Sequence, residues 1–210
     1  MVLLPAETLG LFFVASVALG LAPGPDNLFV LTQSALHGRV AGLLVTLGLC
    51  TGLLVHTAAV ALGVAAIFKT SPLAFTLLKA AGAAYLLYLA WMTLRAPPMP
   101  LDGSGPPALG ARQLYARGIV MNVTNPKVTI FFLAFLPQFT DPARGSPTLQ
   151  VLLLGAVFML STLLVFGSIA WAAGFIGERL RRSARAQLAM NRIAALVFAA
   201  LALRLALSPA

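Results

Sequence analysis

Between Thr8 and Leu207 the sequence falls into six apolar stretches, each near or above the roughly 20 residues that an α-helix needs to cross a bilayer. They run from about Thr8 to Gln33, Val40 to Phe68, Leu73 to Leu94, Leu114 to Pro137, Thr148 to Ile176 and Leu188 to Leu207, with charges or Pro and Gly clusters at their ends. Lipid offers no partner to a bare peptide group, so such stretches must satisfy their own backbone, as helices do. Hydrophobic residues make up 60% of the 210 and charged residues 9%, too few to cover a water-facing surface. An all-α integral membrane protein of six transmembrane helices is therefore expected.

The charges fall mainly between the stretches and set an expected orientation. Arg39, Arg95, Arg112, Arg117, Arg179, Arg181, Arg182, Arg185 and Arg192 share one side, whereas Lys69, Lys79 and Arg144 share the other. The positive-inside rule makes the first side cytoplasmic and places both termini outside. The net charge of +9 is thus explained by lipid, and no nucleic-acid partner is expected. No Lys or Arg precedes the first stretch, which argues against a cleaved signal peptide. The single cysteine, Cys50, lies in an apolar stretch and supports neither a disulfide nor a cysteine metal site.

Residues 96–111, rich in Pro and Gly, form the one extended linker. They divide the chain into residues 1–95 and 112–210, each with three spans and therefore of opposite topology. This is the pattern of two inverted three-helix repeats in one membrane domain. Both halves carry a proline break in their first span. In span one it is Pro23-Gly24-Pro25-Asp26-Asn27, and in span four Asn125-Pro126-Lys127. An interior proline removes a helix hydrogen bond and collides with the preceding turn. Pro23 lies midway between Glu7 and Arg39, and Thr129 midway between Arg117 and Asp141, so both breaks are expected near the bilayer midplane. Matching breaks in two halves point to a transporter site.

The break residues indicate what such a site would take. Asn125 and Pro126 make an N-cap and first-turn pair, and Gly24-Pro25 can act likewise, so two new half-helices would aim their positive ends at one central volume. Exposing a charge at the bilayer centre costs about 2.5–3.5 kcal/mol even on insertion scales, so Asp26 needs a cation or proton and Lys127 an anion. They can satisfy each other as an ion pair, or an amino acid can supply an ammonium to one and a carboxylate to the other. The substrate-binding candidates are Pro23, Gly24, Pro25, Asp26, Asn27, Asn122, Asn125, Pro126 and Lys127. Asp26 and His56 are the proton-coupling candidates, His56 because its charge changes near neutral pH. An equal alternative is a neutral His56 that bonds a neighbouring helix. Gly48, Gly52 and His56 recur every four residues and mark a face that another helix can approach closely, with Gly63 further round. Gln33, Tyr85 and Tyr88 are further candidates for a polar lining, the tyrosines equally for packing. The small residues from Gly38 to Gly42 suit either a homodimer contact or internal packing.

Together Pro23-Gly24-Pro25-Asp26-Asn27, the Gly48/Gly52/His56 face, Gly82-Ala83-Ala84-Tyr85-Leu86-Leu87-Tyr88-Leu89, Asn122 with Asn125-Pro126-Lys127, Phe131-Phe132 and Leu136-Pro137-Gln138-Phe139 resemble the LysE/RhtB family of bacterial amino-acid exporters. The resemblance spans nearly the whole chain. It implies an inner-membrane exporter of amino acids or their derivatives, driven by the proton gradient, with no organic cofactor. The family varies after the first proline motif, so a carboxylate at Asp26 bears on substrate choice. Two other classes fit less well. A divalent metal-ion exporter would want several converging carboxylates or histidines, and only Asp26 and His56 lie within spans. An intramembrane enzyme would need a motif such as GxSxG, HExxH or paired aspartates, and none occurs.

Overall fold

The computed structural model describes residues 3–70, 72–96, 109–173 and 184–207. Most of the linker and the arginines at 179, 181 and 182 fall outside the described residues. Among the described residues eight α-helices appear in order: α1 (Ala6–Leu21), α2 (Pro25–His37), α3 (Arg39–Thr70), α4 (Pro72–Arg95), α5 (Ala111–Val123), α6 (Pro126–Ile130), α7 (Pro147–Ala172) and α8 (Ala184–Leu207). After α6 the chain continues as a π-turn at Phe131–Phe135 and a 3-10 turn at Leu136–Phe139. No strand occurs among the described residues. Residues Arg39–Gly63 of α3 and all of α7 are each long and apolar enough to cross a membrane. Two bent pairs pass the same test together: α1 with α2, and α5 with the helical stretch Pro126–Phe139. By length and composition that gives two spans among the described residues, or up to four if each bent pair is one.

The bends sit at the proline motifs. α1 stops because Pro23 forces Ala22 out of the helical region, to φ −59° and ψ 129°. Gly24 is fully extended, and Pro25 then begins α2 at its first position, where a missing N–H costs nothing. The axes of α1 and α2 differ by 65°. Across the second break Asn125 caps α6 with its side chain on the Lys127 amide, Pro126 takes the first position, and the bend is 49°. α2 ends at Gly38, whose φ of 87° favours a residue without Cβ, and α3 begins at the next residue. Gly42 is used inside the chain: a methyl there would press on Ser34 and lie 3.0 Å from Ala170.

α3 packs along α5 and α7, α4 along α8, and α1 along α7. The α3–α5 contact is backbone on backbone. A Cβ on Gly48 would strike the Tyr115 carbonyl, one on Gly118 would strike the Val45 carbonyl, and one on Gly52 would lie 2.7 Å from Asn122. The four-residue stripe thus faces α5, with His56 at its end, whereas Gly63 has nothing within 4 Å. Phe12 of α1, Phe131, Phe132 and Phe135 of the π-turn, Phe139 and Phe158 of α7 fill the space beside the breaks as one aromatic cluster. It holds the irregular turn against two regular helices.

Candidate functional site at the two helix breaks

The two breaks meet, and Asn125 joins them. Its Nδ2 donates to Asp26 Oδ2 at 2.8 Å while its Oδ1 accepts from the Lys127 amide at 3.0 Å. One buried side chain therefore caps α6 and holds the carboxylate in the first turn of α2. Asp26 is 3% exposed and Asn125 4%.

Lys127 does not pair with Asp26. Among the described residues the one ion pair is Arg144 with Asp141 at 3.1 Å, outside this site. Lys127 Nζ instead donates to the carbonyls of Leu19 and Ala22, both at 3.0 Å. The direct pair weighed from the sequence is thus not formed in this state, for a reason that lies in the helix ends. The last carbonyls of α1 lack partners within the helix and carry its negative dipole end, so they attract a cation. Lys127 is opposed by the dipole of its own helix and supported by that of α1. Asp26 sits at the positive start of α2. Asn27 completes the tie by donating from Nδ2 to the Gly20 carbonyl. Gly24 matters here for room: a methyl on it would stand 3.2 Å from Lys127 Nζ. Pro23, Pro25 and Pro126 act through the backbone geometry described above.

A small cavity lies between these groups, bordered by Leu19, Gly20, Asp26, Asn122, Lys127 and Val128 and closed by Phe158, Thr162 and Phe166 of α7. The space open to the centre of a water-sized sphere is about 20 Å³. That admits one water, which needs about 10–15 Å³ on this measure. A free amino acid does not fit, so the state described is closed. The Oδ1 atoms of Asp26, Asn27 and Asn122 are buried without a protein partner. Such atoms are rare in native proteins and expensive, so the two on Asp26 and Asn122, which border the cavity, mark a place built for polar contact.

The other candidates fall around this centre. His56, 8% exposed, makes a hydrogen-bond contact from Nε2 to the Asn122 carbonyl at 3.2 Å, and its ring packs on Phe132. It reaches the site through Asn122 and does not touch Asp26 directly. The Tyr85 hydroxyl donates to the Pro126 carbonyl at 3.3 Å, which ties α4 to the second break. Tyr88 stacks on Tyr85 and is 54% exposed, away from the cavity. Gln33 is fully buried two turns along α2 from Asp26. The α7 wall was not anticipated. Phe158, Thr162 and Phe166 share a four-residue spacing, but apolar residues at that spacing occur on every membrane helix and single out nothing. Among the described residues no three of His, Cys, Asp and Glu converge in a way that could hold a metal ion.

The family model for LysE type translocators matches residues 17–209, which include every residue of this site. The chain is 35% identical over 179 residues to an uncharacterised membrane protein of Pseudomonas aeruginosa, covering 80% of each chain. With a leucine efflux protein of Klebsiella pneumoniae it shares 29% identity over 196 residues, 93% of this chain and 92% of the relative. An uncharacterised membrane protein of Vibrio cholerae is 33% identical over 186 residues, 87% and 88% of the two chains. No solved structure matches the chain at a significant level. The family match spans both helix breaks and the α7 wall between them, and the chain belongs to the LysE type translocators, membrane proteins that move solutes.

Proposed function

We propose that this protein exports amino acids or their close derivatives by alternating access around the Asp26–Lys127 cavity. The observation that carries the reading is the cavity itself. An acid on one helix break and a base on the other border one central space, as the two ends of a zwitterion require. The substrate ammonium meets Asp26 and the orphaned Oδ1 atom of Asn122, while its carboxylate draws Lys127 from the α1 carbonyls. The family match and the full-length similarity to a leucine efflux protein support an amino-acid cargo. In the closed state each charge is held by a substitute: Asn125 for the ammonium, and the Leu19 and Ala22 carbonyls for the carboxylate. Exchange of substitute for substrate gives the site two states of comparable energy, which alternating access needs.

The wider architecture follows the same reading. Residues 1–95 and 112–210 form two inverted three-helix repeats in the bacterial inner membrane, the linker 96–111 is cytoplasmic and both termini face outward. Protons drive export through Asp26, with His56 as the second carrier beside Asn122. The divalent-cation alternative finds less support, because no cluster of ligands faces the cavity among the described residues. Efflux of preloaded, labelled amino acids from vesicles tests the proposal across neutral, basic and branched species, with and without a proton uncoupler. Efflux of at least one species, abolished by the uncoupler, is expected. Absence of efflux for every amino acid, with metal efflux in its place, would overturn it.

A further inference from the structure

One helix carries a feature that the central site leaves unexplained. Among the described residues, six have buried side-chain polar atoms without a partner, and four of these, Asp26, Asn27, Gln33 and His37, lie on α2. Gln33 is the most extreme, with no exposed surface and neither amide atom bonded. Asp26, Gln33 and His37 follow at intervals of seven and four, so they stack on one helical face with Ser34 beside them. That face is turned inward, towards α3, α5 and α7. Leu28, on the opposite side, is 39% exposed. Polar side chains within a membrane helix face the bundle interior or a water-filled cavity, and they often mark the path of a solute. With a rise of 1.5 Å per residue, Gln33 lies about 10 Å and His37 about 16 Å along the axis from Asp26, towards the end of α2 next to Arg39, where α3 begins.

We propose that the inward face of α2 lines the solute route between the Asp26 cavity and the Arg39 surface. On that route the Gln33 amide is a polar subsite that binds the zwitterion in passing. Packing alone does not account for Gln33, because a leucine would fill the same volume without two unbonded polar atoms. When α2 parts from α3 and α5, the amide nitrogen donates to the solute carboxylate or the amide oxygen accepts from its ammonium, and in the closed state that bond is given up. The inference rests on the transport reading of the central site and adds a direction of entry to it.

Site-directed thiol labelling provides the test. In a Cys50→Ser background, Gln33→Cys, His37→Cys and Leu28→Cys are treated with a charged, membrane-impermeant methanethiosulfonate in vesicles of each orientation. Gln33→Cys and His37→Cys are expected to react from the Arg39 side and far faster than Leu28→Cys. Reaction no faster than at Leu28→Cys, or only from the opposite side, overturns the route. His37→Cys gives the same reading if Gln33→Cys does not insert. Labelling needs no substrate, so it stands even if no amino acid proves to be exported, and the two failures are distinguishable. For the subsite, Gln33→Leu is expected to keep or raise the wild-type melting temperature, since two unbonded polar atoms are removed, while export falls about tenfold, the loss of one hydrogen bond to the solute. Wild-type export in a stably inserted Gln33→Leu protein overturns it.

Discussion

Asn125 is the residue whose removal separates structure from transport most cleanly. Its Oδ1 caps α6 through the Lys127 amide, and its Nδ2 holds Asp26 Oδ2, all with 4% exposure. Asn125→Ala removes both contacts. Loss of an N-cap costs about 0.5–2 kcal/mol, and loss of a hydrogen bond to a charged group about 1.5–3 kcal/mol. The sum, about 2–5 kcal/mol, is a large share of the stability of a protein this size. Asn125→Ser divides that sum. Serine still caps, but it is too short to reach Asp26, so it should recover about 1 kcal/mol relative to alanine. Export behaves differently, because the bridge between the breaks is absent from both variants and both should export equally poorly. Denaturant unfolding in detergent micelles gives the first quantity, and efflux from proteoliposomes the second. If Asn125→Ser unfolds and exports like the wild type, the bridge has no role and the coupling of the two breaks through it is wrong.

The remaining expectations test other contacts. Lys127→Met leaves the Leu19 and Ala22 carbonyls without their donor, at about 1–3 kcal/mol for each unsatisfied group, and should stop export, whereas Lys127→Arg keeps a cation there. Unfolding and efflux measured on both variants check this. Gly48→Ala and Gly118→Ala push a methyl into facing backbone and should each destabilise by about 1–3 kcal/mol, whereas Gly10→Ala and Gly63→Ala, with open space around them, should not. Thermal melts of the four variants give the comparison. Asp26→Asn keeps the shape and removes the carboxylate, so export and its dependence on the proton gradient should both fall. Efflux at a series of imposed pH differences measures this.

The breaks were legible in the sequence because proline has one physical consequence in a helix and few escapes. α2 begins at Pro25 and α6 at Pro126, as the chemistry of a first helical turn requires. The close face on α3 was legible for a similar reason, since Gly48 and Gly52 leave room that α5 occupies. Gly63 belongs to the same pattern but meets nothing, because α5 does not reach it. The partners of the charges were not legible. Charge alone suggests that Asp26 seeks Lys127, whereas the structure gives Lys127 two backbone carbonyls and Asp26 an amide. Carbonyls at a helix end are the same in every sequence, so nothing in the residue types announces them. The π-turn at Phe131–Phe135 was hidden too, since a run of aromatic and aliphatic residues fits a regular helix equally well.

A site that holds both ends of a zwitterion has a simple signature in ligand binding to the purified protein. Leucine, or whichever amino acid the efflux screen identifies, is titrated beside two analogues, one lacking the ammonium and one lacking the carboxylate. If Asp26 and Lys127 address opposite ends, the amino acid binds and each analogue binds at least about tenfold more weakly, roughly 1.4 kcal/mol for each lost end. Equal affinity for either analogue would contradict the account, because one of the two charges would then have no part in holding the substrate.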